Sequence, residues 1–285
     1  MQTLTFSNKN GSIIVGAVAP YYLQVLDGIS GLSAVFTDQK SPGQDGSRLV
    51  QTTFDKRYIA FTGYIKGTSQ ADLDEKRRII QNLFNPKIES TLVYTNEYIE
   101  KQVTCRATKT PVFTADQGTF YQVFIANIVC HNPFWEDCDT TGETLSLQEG
   151  LFSFPWSFSD AWEIENTGTN RLEIDNTGDE ETPVLITFKG AAVNPRILNE
   201  TTGESIGINT TLLMGESLII NTENGNKFVI FDNGLTQVSA FGLINPTYKK
   251  FWKLATDVNI ISYTADAGIT TSNMLIQYKK RFIGL

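Results

Sequence analysis

The residues best suited to catalysis lie near the middle of the chain, around its single histidine. Because His131 is the only histidine, a Ser–His or Cys–His nucleophile has one possible base. Its neighbour Cys130 is expected to point to the opposite face of a strand. With Cys138 these residues supply three possible zinc ligands, but a fourth ligand and a Cys-x-x-Cys spacing are missing. The sequence therefore predicts a structural junction here, with no metal, no cofactor and no thiol chemistry.

Two groups of acidic residues could supply the paired carboxylates of a glycosidase. Glu163 and Glu165 lie two apart on an expected strand, and Asp179, Glu180 and Glu181 lie in an expected turn. Neither group has a context that distinguishes it from ordinary surface charge. Phosphate-binding glycine patterns are also missing from the sequence. We predict that the protein has no catalytic residues and is not an enzyme.

An aromatic run offers a binding alternative. Four of its members recur at every second position and share one face if the segment is extended. Exposed, they could stack on sugars; buried, they would attach a linker to the second domain, which is the commoner role of large aromatics. The run consists of Phe152, Phe154, Trp156, Phe158 and Trp162.

Charge and composition limit the partners. The 31 acidic and 23 basic residues give a formal charge of -8, and the basic clusters at 76–78, 249–250 and 279–281 are short. This balance disfavours specific nucleic-acid binding. It is compatible with an acidic surface that DNA slides past without binding. No apolar run approaches the ~20 residues of a membrane span, and the N-terminus lacks a hydrophobic signal core. Three cysteines, an odd number, fit synthesis in a reducing cytoplasm.

One amphipathic helix is predicted among many strands. Ser69 can cap its first turn, with Asp72 facing the unpaired N–H groups, and Pro86 ends it. Its apolar stripe recurs at helical spacing. The stripe consists of Leu73, Ile79, Ile80, Leu83 and Phe84.

The remaining pattern predicts a mainly β protein of two antiparallel β-sandwich domains, residues 1–133 and 134–285. Segments 58–65 and 121–130 alternate or run apolar as strands do, and Pro133 interrupts pairing at the boundary. Residues 136–160 are expected to be a linker. The second half shows short strands separated by turns, including left-handed turns at the two Asn-Thr-Gly triplets that begin at Asn166 and Asn176.

A loop in the first domain is dense in turn-forming residues and has no hydrophobic anchor. It must be a surface loop or the tip of a long hairpin. We hypothesise that it contacts a neighbouring subunit or another component of an assembly, the alternative being a mobile hairpin tip. The predicted interface residues are Pro42, Gly43, Gln44, Asp45 and Gly46.

Short motifs in a consistent order give the chain a family resemblance. In the first half they are the strand and turn from Tyr22 to Leu32, Pro42-Gly-Gln-Asp-Gly46, Asp55-Lys-Arg57 and Leu83-Phe-Asn-Pro86. In the second half they are Thr182-Pro183, Gly190, Asn194-Pro195, Asn199, Thr202-Gly203, Gly215-Glu216 and residues 278–284. With this set, the chain resembles the distal tail proteins of long-tailed (siphovirus) bacteriophages. One departure is the segment Thr256-Asp-Val-Asn259, where relatives often carry glycine before the asparagine, which leaves the geometry of that turn open.

The resemblance implies an N-terminal sandwich with one helix that forms a hexameric ring around the tail channel, and an outward galectin-like C-terminal sandwich. The ring would join the tail tube to the tail-associated adhesion proteins, within a virion assembled in the bacterial host cytoplasm. A structural hub of the tail tip is therefore the leading hypothesis. A glycan-binding accessory protein is the alternative, although the C-terminal half lacks the histidine that galectins use for galactosides.

Overall fold

The computed structural model describes residues 2–114, 120–146, 171–268 and 272–285. The chain forms two compact units, Met1–Cys138 with Arg281–Leu285, and Asp139–Lys280. The domain boundaries expected from the sequence, residues 1–133 and 134–285, stay a prediction about independent folding. None of the helices in the described ranges is long and apolar enough to cross a membrane.

The described part of the first unit combines one α-helix, α1 (Gln70–Leu83), with strands before and after it. In chain order these are β1 (Thr3–Asn8), β2 (Gly11–Val15), β3 (Tyr21–Asp27), β4 (Ala34–Gln39), β5 (Arg48–Phe54), β6 (Arg57–Lys66), β7 (Ser90–Thr95), β8 (Glu100–Ala107), β9 (Val112–Phe113), β10 (Tyr121–Cys130) and β11 (Trp135–Asp137).

In its described residues, the second unit contains the next thirteen strands and a short 3-10 helix, Phe241–Leu243. In chain order its strands are β12 (Thr141–Ser146), β13 (Arg171–Asn176), β14 (Val184–Lys189), β15 (Ala192–Val193), β16 (Arg196–Asn199), β17 (Glu204–Ile208), β18 (Thr211–Leu212), β19 (Ser217–Asn221), β20 (Phe228–Asp232), β21 (Gln237–Ser239), β22 (Ile244–Lys249), β23 (Asp257–Thr264) and β24 (Asn273–Tyr278). A last strand, β25 (Arg281–Phe282), returns to the first unit.

The first unit is built on an antiparallel sheet in the order β2-β1-β7-β8-β10-β6-β3. Strand β11 joins it beside β8, and β25 pairs with β11. Strand β10 has the bounds expected from its apolar run, and β6 alternates as predicted, with Ile59, Phe61 and Ile65 buried. The two strands pair along their full length, from Tyr121 opposite Lys66 to Cys130 opposite Arg57.

The predicted helix is confirmed at both ends. The Ser69 hydroxyl accepts a hydrogen bond from the Asp72 N–H at 3.2 Å, and Lys76, the largest contributor, lowers the pKa of Asp72 to about 2. Phe84 follows the helix and stacks on Phe6 with ring centroids 4.0 Å apart. The expectation for Ile79 is wrong. It is 43% exposed because it lies one residue, and therefore about 100°, away from buried Ile80.

The second unit is an antiparallel sandwich. One sheet has the order β12-β24-β14-β19-β20-β21 and the other β13-β23-β16-β17-β22, while β15 pairs with β18. A single core takes inward side chains from both sheets. These include Ile186, Ile220 and Ile276 from the first sheet, and Ile197, Ile206 and Ile261 from the second. The predicted class, mainly β with antiparallel sheets and a helix in the first half, is confirmed; the galectin-like assignment stays a prediction.

Two expectations for the second half are wrong. Residues 136–146 are not a linker, since β12 pairs with β24 over six residues and buries Leu145. β12 lies at the edge of its sheet, where a strand needs few apolar residues, so its composition did not indicate a strand. Asn176 is not in a left-handed turn; it ends β13 in a buried position, and its side-chain oxygen accepts a hydrogen bond from the Gly178 N–H at 3.2 Å.

Candidate assembly interface

The residues considered for catalysis are not brought together. Cys130 is buried at the end of β10, and His131, which follows the strand, is exposed. A hydrogen bond with Cys130, followed by burial, raises the pKa of the Cys105 thiol, which keeps it protonated and unreactive. Within the described ranges no three His, Cys, Asp or Glu side chains lie close enough to hold a metal.

Glu181, from the second acidic group, lies in an ordinary surface environment. Glu181 is exposed and contacts the Lys253 Nζ at 3.3 Å, an ordinary surface ion pair. Glu163, Glu165, the triplet at Asn166 and the aromatic run from Phe152 to Trp162 lie outside the described residues.

The most unusual surface feature is the β4–β5 hairpin. Among the described strands these two pair only with each other, as a separate two-stranded sheet, and each of their residues is exposed. Phe36 and Leu49 are 63% and 55% exposed. An isolated two-stranded hairpin is marginally stable in water, and exposed aromatic and leucine side chains favour burial. The hairpin therefore has the properties of an element that is completed by a partner surface.

The register places the apolar residues together. Phe36 lies opposite Thr52 and Ala34 opposite Phe54, so these four share one face. A bulge between Thr37 and Asp38 brings Leu49 opposite Asp38, on the same face as Phe36. The other face carries Val35, Thr37, Gln51 and Thr53 and is more polar. The hairpin thus has one face suited to docking.

The predicted interface loop forms the tip of this hairpin. The Gln44 N–H donates to the Ser41 carbonyl at 3.1 Å, and Ser47 donates to Asp38 at 3.0 Å. Gly43 and Gly46 both have φ of 77°, a left-handed conformation that suits glycine. The sequence identified this tip but missed the two exposed strands behind it, although Phe36, Leu49 and Val50 could have indicated them.

A buried arginine fixes the base of the hairpin. Arg57, three residues after Phe54, is 1% exposed. Its Nε donates to the Pro133 carbonyl at 2.7 Å, its Nη1 donates to the carbonyls of Gly28 and Ile29 at 2.9 and 3.1 Å, and its Nη2 donates to the Ile283 carbonyl.

These four carbonyls come from three separate segments of the first unit. Burial lowers the pKa of Arg57, and the carbonyl dipoles offset that cost of desolvation. The guanidinium also lies 5.7 Å from the centre of the Trp135 ring. Phe134 contacts Phe54 edge-on, with centroids 5.8 Å apart, which holds the end of β5 against the same region.

Buried asparagines play the corresponding part in the second unit. Asn259 accepts from the Ala255 N–H and donates to the carbonyls of Ala255 and Asp257, each at 2.9 Å. Asn199 donates to the Lys253 carbonyl at 3.2 Å and to the Asn259 side chain at 3.3 Å, and Asn176 donates to the Ala255 carbonyl at 3.1 Å. Three buried amides therefore shape the 253–257 segment.

The turn at the departure from the family pattern, residues 256–259, contains one residue in a disfavoured backbone conformation. Asp257 has φ of 66°, where an L-residue is disfavoured. We expect Asp257→Gly to stabilise the second unit by about 0.5 kcal/mol, because relief of this strain exceeds the extra chain entropy that glycine loses. Urea unfolding measures the change. Asp175→Gly, in neighbouring β13 and exposed, should instead destabilise; equal signs for the two variants would contradict the strain.

The comparisons with known proteins agree with this architecture. A family model described as the phage tail protein RIFT-related domain matches residues 9–130, and one described as the siphovirus-type tail component, C-terminal domain, matches residues 177–282. Both describe components of phage tails. Together they cover most of the chain, in the order of its two units. The chain belongs to the siphovirus distal tail protein family, whose members are structural components of the virion tail.

Solved structures share the fold at low sequence identity. The chain is similar to the Dit protein (gp 19.1) of phage SPP1, described as a paradigm of the hub adsorption apparatus in phages that infect Gram-positive bacteria, with 12% identity, a TM-score of 0.68 and coverage of 97% of this chain and 98% of that one. It is also similar to chains of the phage p2 baseplate in its activated conformation, with calcium or with strontium, at 12% identity, a TM-score of 0.56 and full coverage of both chains. Among curated proteins, none matches the sequence.

Proposed function

We propose that the protein is the structural hub of the phage tail tip, a closed hexameric ring that joins the tail tube to the host-adsorption apparatus. Its partners are further copies of itself, the tail tube protein and the tail-associated adhesion proteins, and assembly takes place in the bacterial host cytoplasm. The hub has no enzymatic activity and binds neither membranes nor specific nucleic acid. Six copies of 31.7 kDa give a ring of about 190 kDa.

The observation that carries this proposal is the unsupported β4–β5 hairpin. Its docking face has exposed Phe36 and Leu49, and its base is fixed by Arg57 and Phe54. The hairpin, which forms an arm, is therefore held at its base and uncovered along its strands. A rigidly based arm with one apolar face suits repeated contact with an identical neighbour, because each copy offers the same surface to the next. The tip residues, Pro42 to Gly46, would lie at the rim of that contact.

We expect the double substitution Phe36→Ser/Leu49→Ser to abolish ring formation while leaving the chain folded. Both side chains are exposed in the single chain, so their loss costs little of its stability but removes the apolar centre of the contact. Light scattering after size-exclusion chromatography should show a mass of about 32 kDa in place of about 190 kDa, the masses of one and six copies.

The opposite face of the hairpin supplies the control. Val35→Ser changes an exposed residue on the more polar face and should leave the ring intact. Replacement of residues 43–46 by serine tests the tip separately and should weaken assembly. If the Phe36→Ser/Leu49→Ser protein forms rings as readily as Val35→Ser, the hairpin does not carry the contact.

A further inference from the structure

The second unit contains a polar cleft on the outer face of its five-stranded sheet. Thr264, Arg196 and Gly207 lie side by side on β23, β16 and β17, and Tyr248 of β22 comes next. A methyl group at Gly207 would lie 3.3 Å from the Tyr248 Cβ. The missing side chain leaves room for Arg196 to reach over Gly207, and its guanidinium carbon lies 3.7 Å from the centre of the Tyr248 ring.

Paired amides and a carboxylate form the rim. The Asn194 amide donates to Asp266 at 2.8 Å, and the Asn245 amide donates to the Asn209 side-chain oxygen at 2.9 Å. These bonds fix the planes of the groups but leave lone pairs on the carboxylate and an N–H group on each amide. The cleft has a volume of about 290 Å³, near the ~300 Å³ lower bound of small-molecule sites.

The arginine on the floor is held but incompletely bonded. Its Nε donates to the Ser205 hydroxyl at 3.4 Å, a long contact, and the stack on Tyr248 keeps the guanidinium plane in one orientation. A guanidinium carries five N–H donors, so most remain for a ligand. The opposite charges of Arg196 and Asp266 offset each other, which disfavours a strongly charged ligand. A hydroxyl group both donates and accepts, and neighbouring hydroxyls suit planar guanidinium, amide and carboxylate groups.

We propose that this cleft binds a saccharide, with Arg196 and Asp266 contacting ring hydroxyls and Tyr248 positioning Arg196. The site is distinct from the docking face of the hairpin, so the proposal goes beyond the hub function. It also differs from the aromatic run that suggested sugar binding in the sequence, because it depends on an arginine, a carboxylate and amides.

Saturation-transfer NMR on the full chain tests the site, with the methyl glycosides of glucose, galactose, N-acetylglucosamine and rhamnose as probes and glycerol as a non-sugar polyol. We expect at least one glycoside to bind with a millimolar dissociation constant and Arg196→Met to weaken it at least about tenfold, since charge-assisted hydrogen bonds are lost. Asp266→Ala, an exposed substitution, should also weaken binding. Gly207→Val should do the same by displacing Arg196 from Tyr248.

Arg171→Met is the matched control, since Arg171 lies on β13 of the same sheet, is exposed and pairs with Glu200 at 3.0 Å. The Arg171→Met variant should bind the glycoside with the same affinity as the unchanged chain. The proposal is overturned if no glycoside binds, if glycerol binds as well as the glycosides, or if Arg196→Met and Asp266→Ala both bind like Arg171→Met. Circular dichroism of each variant separates loss of the site from loss of the fold, and ring formation can be scored independently by mass.

Discussion

Substitution of Arg57 by methionine is expected to destabilise the first unit by about 4 kcal/mol. Methionine fills much of the same volume, but the carbonyls of Gly28, Pro133 and Ile283 lose their buried donor. The Ile29 carbonyl is partly compensated, because the Trp135 Nε1 also donates to it at 2.9 Å. A buried arginine can sometimes be exchanged for an apolar residue when its partners are exchanged too; here the partners are backbone groups and remain.

Urea unfolding followed by tryptophan fluorescence measures this effect, since Trp135 lies beside Arg57. Arg106→Met is the matched control, because Arg106 makes an exposed ion pair with Glu89 at 3.0 Å and its loss should cost less than about 1 kcal/mol. The urea midpoint of Arg57→Met could instead equal that of Arg106→Met within experimental error. The carbonyls would then have found other donors, and Arg57 would not hold the three segments together.

The second large effect is expected in the other unit, where Asn259→Leu should cost about 3 kcal/mol. Leucine has a similar size but leaves the Ala255 N–H and the carbonyls of Ala255 and Asp257 without the partner that they have at 2.9 Å. Asn199 also loses an acceptor. The 253–257 segment should then lose its shape, and the buried side chain of Trp252 next to it should report the change.

Urea unfolding followed by tryptophan fluorescence, to which Trp252 contributes, tests this expectation, with Asn226→Leu in an exposed turn as the control. The control should move the transition only slightly, whereas Asn259→Leu should lower the midpoint well beyond it. If both variants unfold at the same urea concentration, the three buried amides do not act together on this segment.

Local patterns predicted the elements whose formation depends on nearby residues. The capped, amphipathic helix and the apolar run of β10 are such cases, because Ser69, Pro86 and the spacing of Leu73 and Ile80 act within one element. The hairpin tip was also predictable from its turn residues. These features need no knowledge of the rest of the chain.

Arg57 and Asn259 could not be interpreted in this way. The charged neighbours in Asp55-Lys56-Arg57 predict that the arginine lies at the solvated surface. Its buried role depends on carbonyls that are 28 to 226 positions away in sequence. The role of Asn259 depends likewise on Asn199, 60 positions away. The polar cleft requires four strands in register before Arg196 meets Tyr248, so no short motif could have identified it.

The return of the last strand to the first unit sets an order of events during protein synthesis. Residues of the first unit leave the ribosome early, yet Arg57 can donate to the Ile283 carbonyl, and β11 can pair with β25, only after residues 139–280 have been made. The first unit of a nascent chain therefore remains incomplete until translation has passed the whole second unit. In the proposed ring, subunit contacts would therefore form only between chains that already carry both units, because copies still being translated lack β25 and the Ile283 carbonyl at the base of the hairpin.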